Sequence, residues 1–100
     1  MELIPLKDIQ DGDEFFVGTR LRIFNVGLNV ADKSDDFYEY MLAEISADKE
    51  YMALINIVGH KSGSVLAHVK IKLGQNKIVT TGQALKFSVG TKDTYLIRDK

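Results

Sequence analysis

Residues 51–72 leave this chain few folds to choose from. Tyr51 to Val58 is apolar at seven of eight positions. A run that short and that apolar reads as a strand covered on both faces. Gly59-His60-Lys61-Ser62-Gly63 then reverses the chain, and Ser64 to Lys72 alternates strictly. Val65, Ala67, Val69 and Ile71 fall on one face, with His68, Lys70 and Lys72 on the other. That is the pattern of a half-buried antiparallel partner.

The same reading extends to the rest of the chain. Glu2 to Leu6 reads as an edge strand that tolerates Pro5, and Asp11-Gly12 marks a turn. Phe15 to Val17 begins a strand, Gly18 marks a bend or bulge, and Thr19 to Phe24 alternates Arg20 and Arg22 against Leu21 and Ile23. Asn25 to Val30 extends that strand, and residues 31–36 form a polar loop. Phe37 to Ile45 fits a strand better than a helix, because Phe37, Met41, Ala43 and Ile45 share a face with only Glu39 out of pattern. Residues 47–50 and 73–77 read as turns, and Ile78 to Thr81 as a short strand. Gly82-Gln83 reads as a turn, and Ala84 to Val89 as a strand with Leu85, Phe87 and Val89 on one face. A hairpin turn at Gly90 to Asp93 leads into a last strand, Thr94 to Arg98. The expected fold is all-β: one domain over residues 1–100, an antiparallel β-sandwich or small open barrel of about eight strands.

Composition narrows the chemistry. The chain has no cysteine, which excludes disulfides, thiolate metal sites and a cysteine nucleophile. No apolar run approaches the roughly 18 residues of a membrane span. The first residues lack the basic start and apolar stretch of a secretion signal, so a cytoplasmic protein is expected. His60 and His68 stand eight apart, outside the i, i+4 spacing of a helical metal pair. Ser62 and Ser64 lack the surroundings of a nucleophile elbow. Asp11/Asp13 and Asp35/Asp36 lack the loop pattern of a calcium hand. The expectation is a protein without catalytic residues, metal or cofactor.

The net charge of −1 is unevenly spread. Residues 1–31 hold five acids and three bases, residues 32–50 seven acids and two bases, and residues 51–100 two acids and eight bases. The acidic segment offers Asp32, Asp35, Asp36, Tyr38, Glu39 and Tyr40, with Asp48 and Glu50 as a second patch. Tyrosines make good buried anchors, and carboxylates steer and pair with Lys and Arg, so this composition suits a basic protein partner. The alternative is a nucleic-acid-binding β module using Lys61, Lys70, Lys72, Lys77 and Lys86. Single-strand binders also need aromatic platforms, and along the sequence most aromatics lie away from these lysines.

Residues 53–66, Ala-Leu-Ile-Asn-Ile-Val-Gly-His-Lys-Ser-Gly-Ser-Val-Leu, form an apolar strand, a glycine-bounded turn and a second apolar strand. This element resembles the small β-rich immunity proteins of bacterial contact-dependent inhibition and polymorphic toxin systems. The resemblance implies a cytoplasmic, non-enzymatic protein that binds the C-terminal toxin domain of its cognate effector, often a nuclease, and occludes the active site. A monomer in a 1:1 heterocomplex is the assembly expected from it.

Overall fold

The computed structural model describes residues 1–25, 36–45, 50–58, 63–72 and 78–99. Among these residues eight strands form, all paired antiparallel: β1 (Glu2–Pro5), β2 (Glu14–Phe16), β3 (Arg20–Phe24), β4 (Phe37–Glu44), β5 (Tyr51–Val58), β6 (Val65–Lys70), β7 (Val79–Thr81) and β8 (Thr94–Arg98). Six of them make one sheet in the order β1-β8-β3-β4-β5-β6, and β2 pairs with β7 in a small second sheet. The sheets stay open and no barrel closes among the described residues. An Ile71–Thr80 bridge ties the end of β6 to β7.

One face of the large sheet carries the core. A row of cross-strand neighbours runs Ile4, Leu96, Leu21, Tyr40 and Asn56 across five strands. Leu42, Met52, Leu54 and Val69 extend this face, and Leu6, Ile9, Val79 and Leu85 close over it from the second layer. The facing residues of adjacent strands are large and apolar, which is the side-chain pairing that stabilises a sheet. Two register shifts adjust the alternation, one between Glu39 and Tyr40 in the β4–β5 pair and one between Leu54 and Ile55 in the β5–β6 pair. Apolar β5 therefore buries Met52, Leu54 and Asn56 on the core side, while Tyr51 and Val58 at its ends stay exposed.

One segment departs from the all-β expectation. Gly82–Val89 is an α-helix, α1, where the alternation of Leu85, Phe87 and Val89 predicts a strand. Its caps decide the matter. Thr81 Oγ1 accepts the Ala84 N–H at 3.2 Å, and the Gly90 N–H closes the other end on the Lys86 carbonyl at φ 75°. The two other N-terminal donors are also satisfied: Gly82 N–H bonds the Asp13 carbonyl at 2.9 Å and Gln83 N–H the Asp11 carbonyl at 3.1 Å. Consequently Gly90 to Asp93 joins a helix to β8 and is not a hairpin turn. The turn at residues 9–13, the bend at Gly18 (φ 96°) and the strands β1, β3, β4 and β8 match their sequence expectations. The expected extension of β3 over Asn25 to Val30 fails at its first residue, because Asn25 leaves the strand at φ 59°. Residues 26–30 and the turn at 73–77 lie outside the described residues, as does most of the turn at 47–50. Among the described residues no helix is long and apolar enough to cross a membrane.

Candidate interaction surface

The strand β4, third from one edge of the sheet, sets the fate of the acidic and aromatic segment. Having neighbours on both sides, it sends alternate residues to opposite faces. Tyr38 and Tyr40 point into the core, with ring centroids 6.3 Å apart. Burial pushes the Tyr40 phenol above its ordinary pKa. The Asn56 side chain pulls the other way and the neighbouring Tyr38 adds a little. Asn56 is 2 % exposed, and its amide nitrogen and oxygen sit outside hydrogen-bonding geometry. Asp36 is buried as well, and its carbonyl accepts the Asn25 N–H at 2.9 Å.

Glu39 faces the other side of the sheet but is only 6 % exposed. Arg22, its cross-strand neighbour, donates to Glu39 Oε2 from Nε at 2.9 Å and from a terminal nitrogen at 2.5 Å. The Arg22 guanidinium also lies over the Phe37 ring, 4.3 Å from its centroid. Arg20 stands 4.0 Å from Glu39 Oε1 and clamps Asp99 at 2.7 Å. The half-buried arginines of β3 and the carboxylate of β4 therefore neutralise each other.

These positions answer the sequence expectation residue by residue. Tyr38, Tyr40 and Asp36 are interior and Glu39 is covered by Arg22, so these four side chains do not form an accessible patch. Glu50 is exposed, with its carbonyl accepting the Ile71 N–H at 2.8 Å. Asp32, Asp35 and Asp48 lie outside the described residues. So do His60, Lys61 and Lys77.

The accessible apolar surface is elsewhere. Phe87 on α1 is 92 % exposed, and Val65 and Leu66 on β6 are also in water. Helix α1 lies beside β6, with Ser88 Oγ reaching the His68 carbonyl at 3.5 Å. Between them runs a groove of about 600 Å³ whose wall includes Tyr51, His68, Lys70, Lys72, Ala84 and Phe87. Tyr51 and His68 stand side by side with ring centroids 6.4 Å apart. No carboxylate lines the groove among the described residues. The structure thus brings aromatics and lysines together that are separated in the chain.

Two of the described lysines are committed. Lys72 pairs with Glu14 at 2.7 Å, and Lys86 bonds Asp11 at 3.0 Å and the Ile9 carbonyl. The described residues contain no group of three His, Asp or Glu placed to hold a metal ion. Sequence reasoning missed this surface because Phe87, taken as a strand residue, would sit on the same face as Leu85 and Val89. Thr81 and Gly90, bracketing an eight-residue segment, were the signal for a helix. Comparison with protein families, curated proteins and solved structures gives no match to this chain.

Proposed function

We propose that this chain is a partner-binding domain without a catalytic role, an immunity protein that docks on its cognate toxin domain and covers the toxin's active site. The observation that carries the reading is the exposed apolar band of β6 and α1: Val65, Leu66 and a nearly naked Phe87 beside an open groove. A phenylalanine left in water forgoes roughly 2 kcal/mol that a partner surface can recover. Aromatic side chains near the centre of an interface are the usual anchors of binding energy. In this reading the contact centres on these apolar residues and the groove, and the exposed Glu50 adds attraction for a basic toxin. The protein acts in the cytoplasm as a monomer, one copy per toxin.

The test is to read the neighbouring reading frame in the source genome and, where it encodes a large secreted protein, to co-express that protein's C-terminal domain with this chain. The expected result is a stable 1:1 complex and restored growth of cells producing that domain. Phe87→Ala lowers the affinity about 30-fold, the equivalent of 2 kcal/mol. Absence of a complex with the intact chain refutes the proposal.

A second reading is favoured by the meeting of Tyr51 and Phe87 with Lys70 and Lys72 in the groove. That composition also suits a short stretch of single-stranded RNA, with bases on the rings and phosphates on the lysines. A gel shift at low and moderate salt checks it; no retention at low salt removes it.

A further inference from the structure

The groove between α1 and β6 is asymmetric in charge. Lys70, Lys72 and His68 line it, and no described carboxylate does. Lys72 is held from outside the groove by Glu14, whereas Lys70 carries no ion pair among the described residues. The rest of the wall is apolar or neutral: Ala67, Ala84 and Phe87, with Gln83 and Thr81 at the start of the helix. An apolar floor beside a single uncommitted ammonium calls for a ligand with one bulky apolar group and a carboxylate close to it.

We infer that this groove binds an acidic segment of the protein partner, one that lays a bulky apolar side chain against Phe87 and sets a carboxylate on Lys70. The inference rests on the partner-binding reading above and adds the chemistry of the segment that enters. It concerns that segment only, so a toxin that is basic overall still satisfies it.

Among the described residues the count of cations favours a peptide over a nucleic acid. Nucleic-acid affinity comes from neutralising several phosphates, and it collapses with salt. Of Lys70, Lys72 and Lys86, two are already neutralised by Glu14 and Asp11. Among the described residues that leaves one open lysine in the groove, and one ammonium neutralises too few phosphates to hold a strand at moderate salt. The same lysine is enough to orient a peptide whose affinity comes from apolar burial. Helix α1 also fixes the geometry, since it is capped at both ends and held to His68 through Ser88. Phe87 is therefore presented on a rigid element.

The test uses three probes with the intact chain: a short fluorescent peptide with one Leu and one Phe flanked by Asp and Glu, the same peptide with Lys in place of the acids, and a short oligouridylate. Anisotropy gives affinities at low and moderate salt, and amide chemical shifts locate the site. The acidic peptide is expected to shift the amides of Ala67, Lys70, Phe87 and Ser88, and to bind at least tenfold tighter than its basic counterpart. Phe87→Ala lowers its affinity at least tenfold and Lys70→Glu about fivefold. Both side chains are solvent-facing, so both variants keep the wild-type fold and melting curve. Equal binding of the two peptides, no shifts in the groove, or tighter binding of the oligouridylate at moderate salt each overturns the inference. The variants are also measured against the toxin domain. A toxin complex indifferent to both substitutions refutes the groove and spares the immunity reading. Peptide binding in the groove without any toxin complex does the reverse.

Discussion

The Arg22–Glu39 pair is the point where one substitution reports most on how the sheet is held. The Glu39 side chain is 8 % exposed and that of Arg22 16 %. Both short bonds go to one oxygen, Oε2, while Oε1 has Arg20 at 4.0 Å. Arg22→Met keeps most of the packing against Phe37 but leaves the carboxylate nearly dry. Stranding one member of a buried pair costs about 3–5 kcal/mol. Arg20 moves the expectation to the lower end, about 3 kcal/mol. Glu39→Met in the same chain removes the stranded charge, so the double variant returns to within about 1 kcal/mol of wild type. Urea unfolding followed by circular dichroism measures this. With a slope of about 1.5 kcal/mol/M, the midpoint falls by about 2 M in Arg22→Met and recovers most of that in Arg22→Met/Glu39→Met. A double variant as unstable as the single one refutes the stranded-charge argument and points to lost packing of the arginine over Phe37. A single variant within about 0.5 kcal/mol of wild type refutes the idea that the pair is buried in any energetic sense.

Three further outcomes follow from the interior. Gly82→Ala places a Cβ 2.2 Å from the Gln10 carbonyl oxygen, a backbone atom that cannot swing away, so the helix start must lift off the turn at residues 9–13. A loss of at least about 2 kcal/mol is expected in thermal unfolding, against the usual gain of a glycine-to-alanine change in a helix, and a stabilised variant contradicts the close approach. Asn56→Leu replaces a buried amide that sits beside the Tyr40 phenol, yet makes no hydrogen bond of good geometry among the described residues, with an apolar group of similar shape. Stability should hold or rise by about 1 kcal/mol, and a loss beyond 2 kcal/mol shows that the amide has a partner in solution. Tyr40 has its folded-state pKa raised, mainly by burial, above its unfolded value of about 10. Its contribution is complete below the unfolded pKa and declines as pH rises through the folded one. Between pH 9 and 11 the urea midpoint of wild type therefore falls more steeply than that of Tyr40→Phe, and parallel curves dispose of the assignment.

The strands were legible where alternation and neighbours agree. On β6 the alternation holds towards its end, where Val69 and Ile71 are buried and His68 and Lys70 exposed, but Val65 on the expected inner face lies in water and Ala67 is half-buried. On β4 the sequence separates the two faces correctly but gives no sign of which one is inside. Phe37, Met41 and Ala43 look like a core face, yet Tyr38, Tyr40 and Leu42 are the buried set. The reason is Glu39: a carboxylate in an apolar row implies a solvent side, and Arg22 from β3 makes that row tolerable. That pairing spans residues far apart in the chain, so a single strand cannot disclose it. The candidate surface was hidden for a different reason. Leu85 and Val89 fit a helical face as well as a strand face, and only the capping residues Thr81 and Gly90 separate the two readings.

The place of β8 has a bearing on how the chain reaches this structure. It is the last of the described strands in chain order, yet it lies between β1 and β3 and gives each of them a neighbour. Until residues 94–98 pair, β1 has no ladder to join and β3 presents a raw edge. Such late, long-range closure is slow, and it leaves an unpaired edge exposed to other nascent chains. The chain is therefore most vulnerable while residues 94–98 are unpaired, and β3 is the edge left open in that interval.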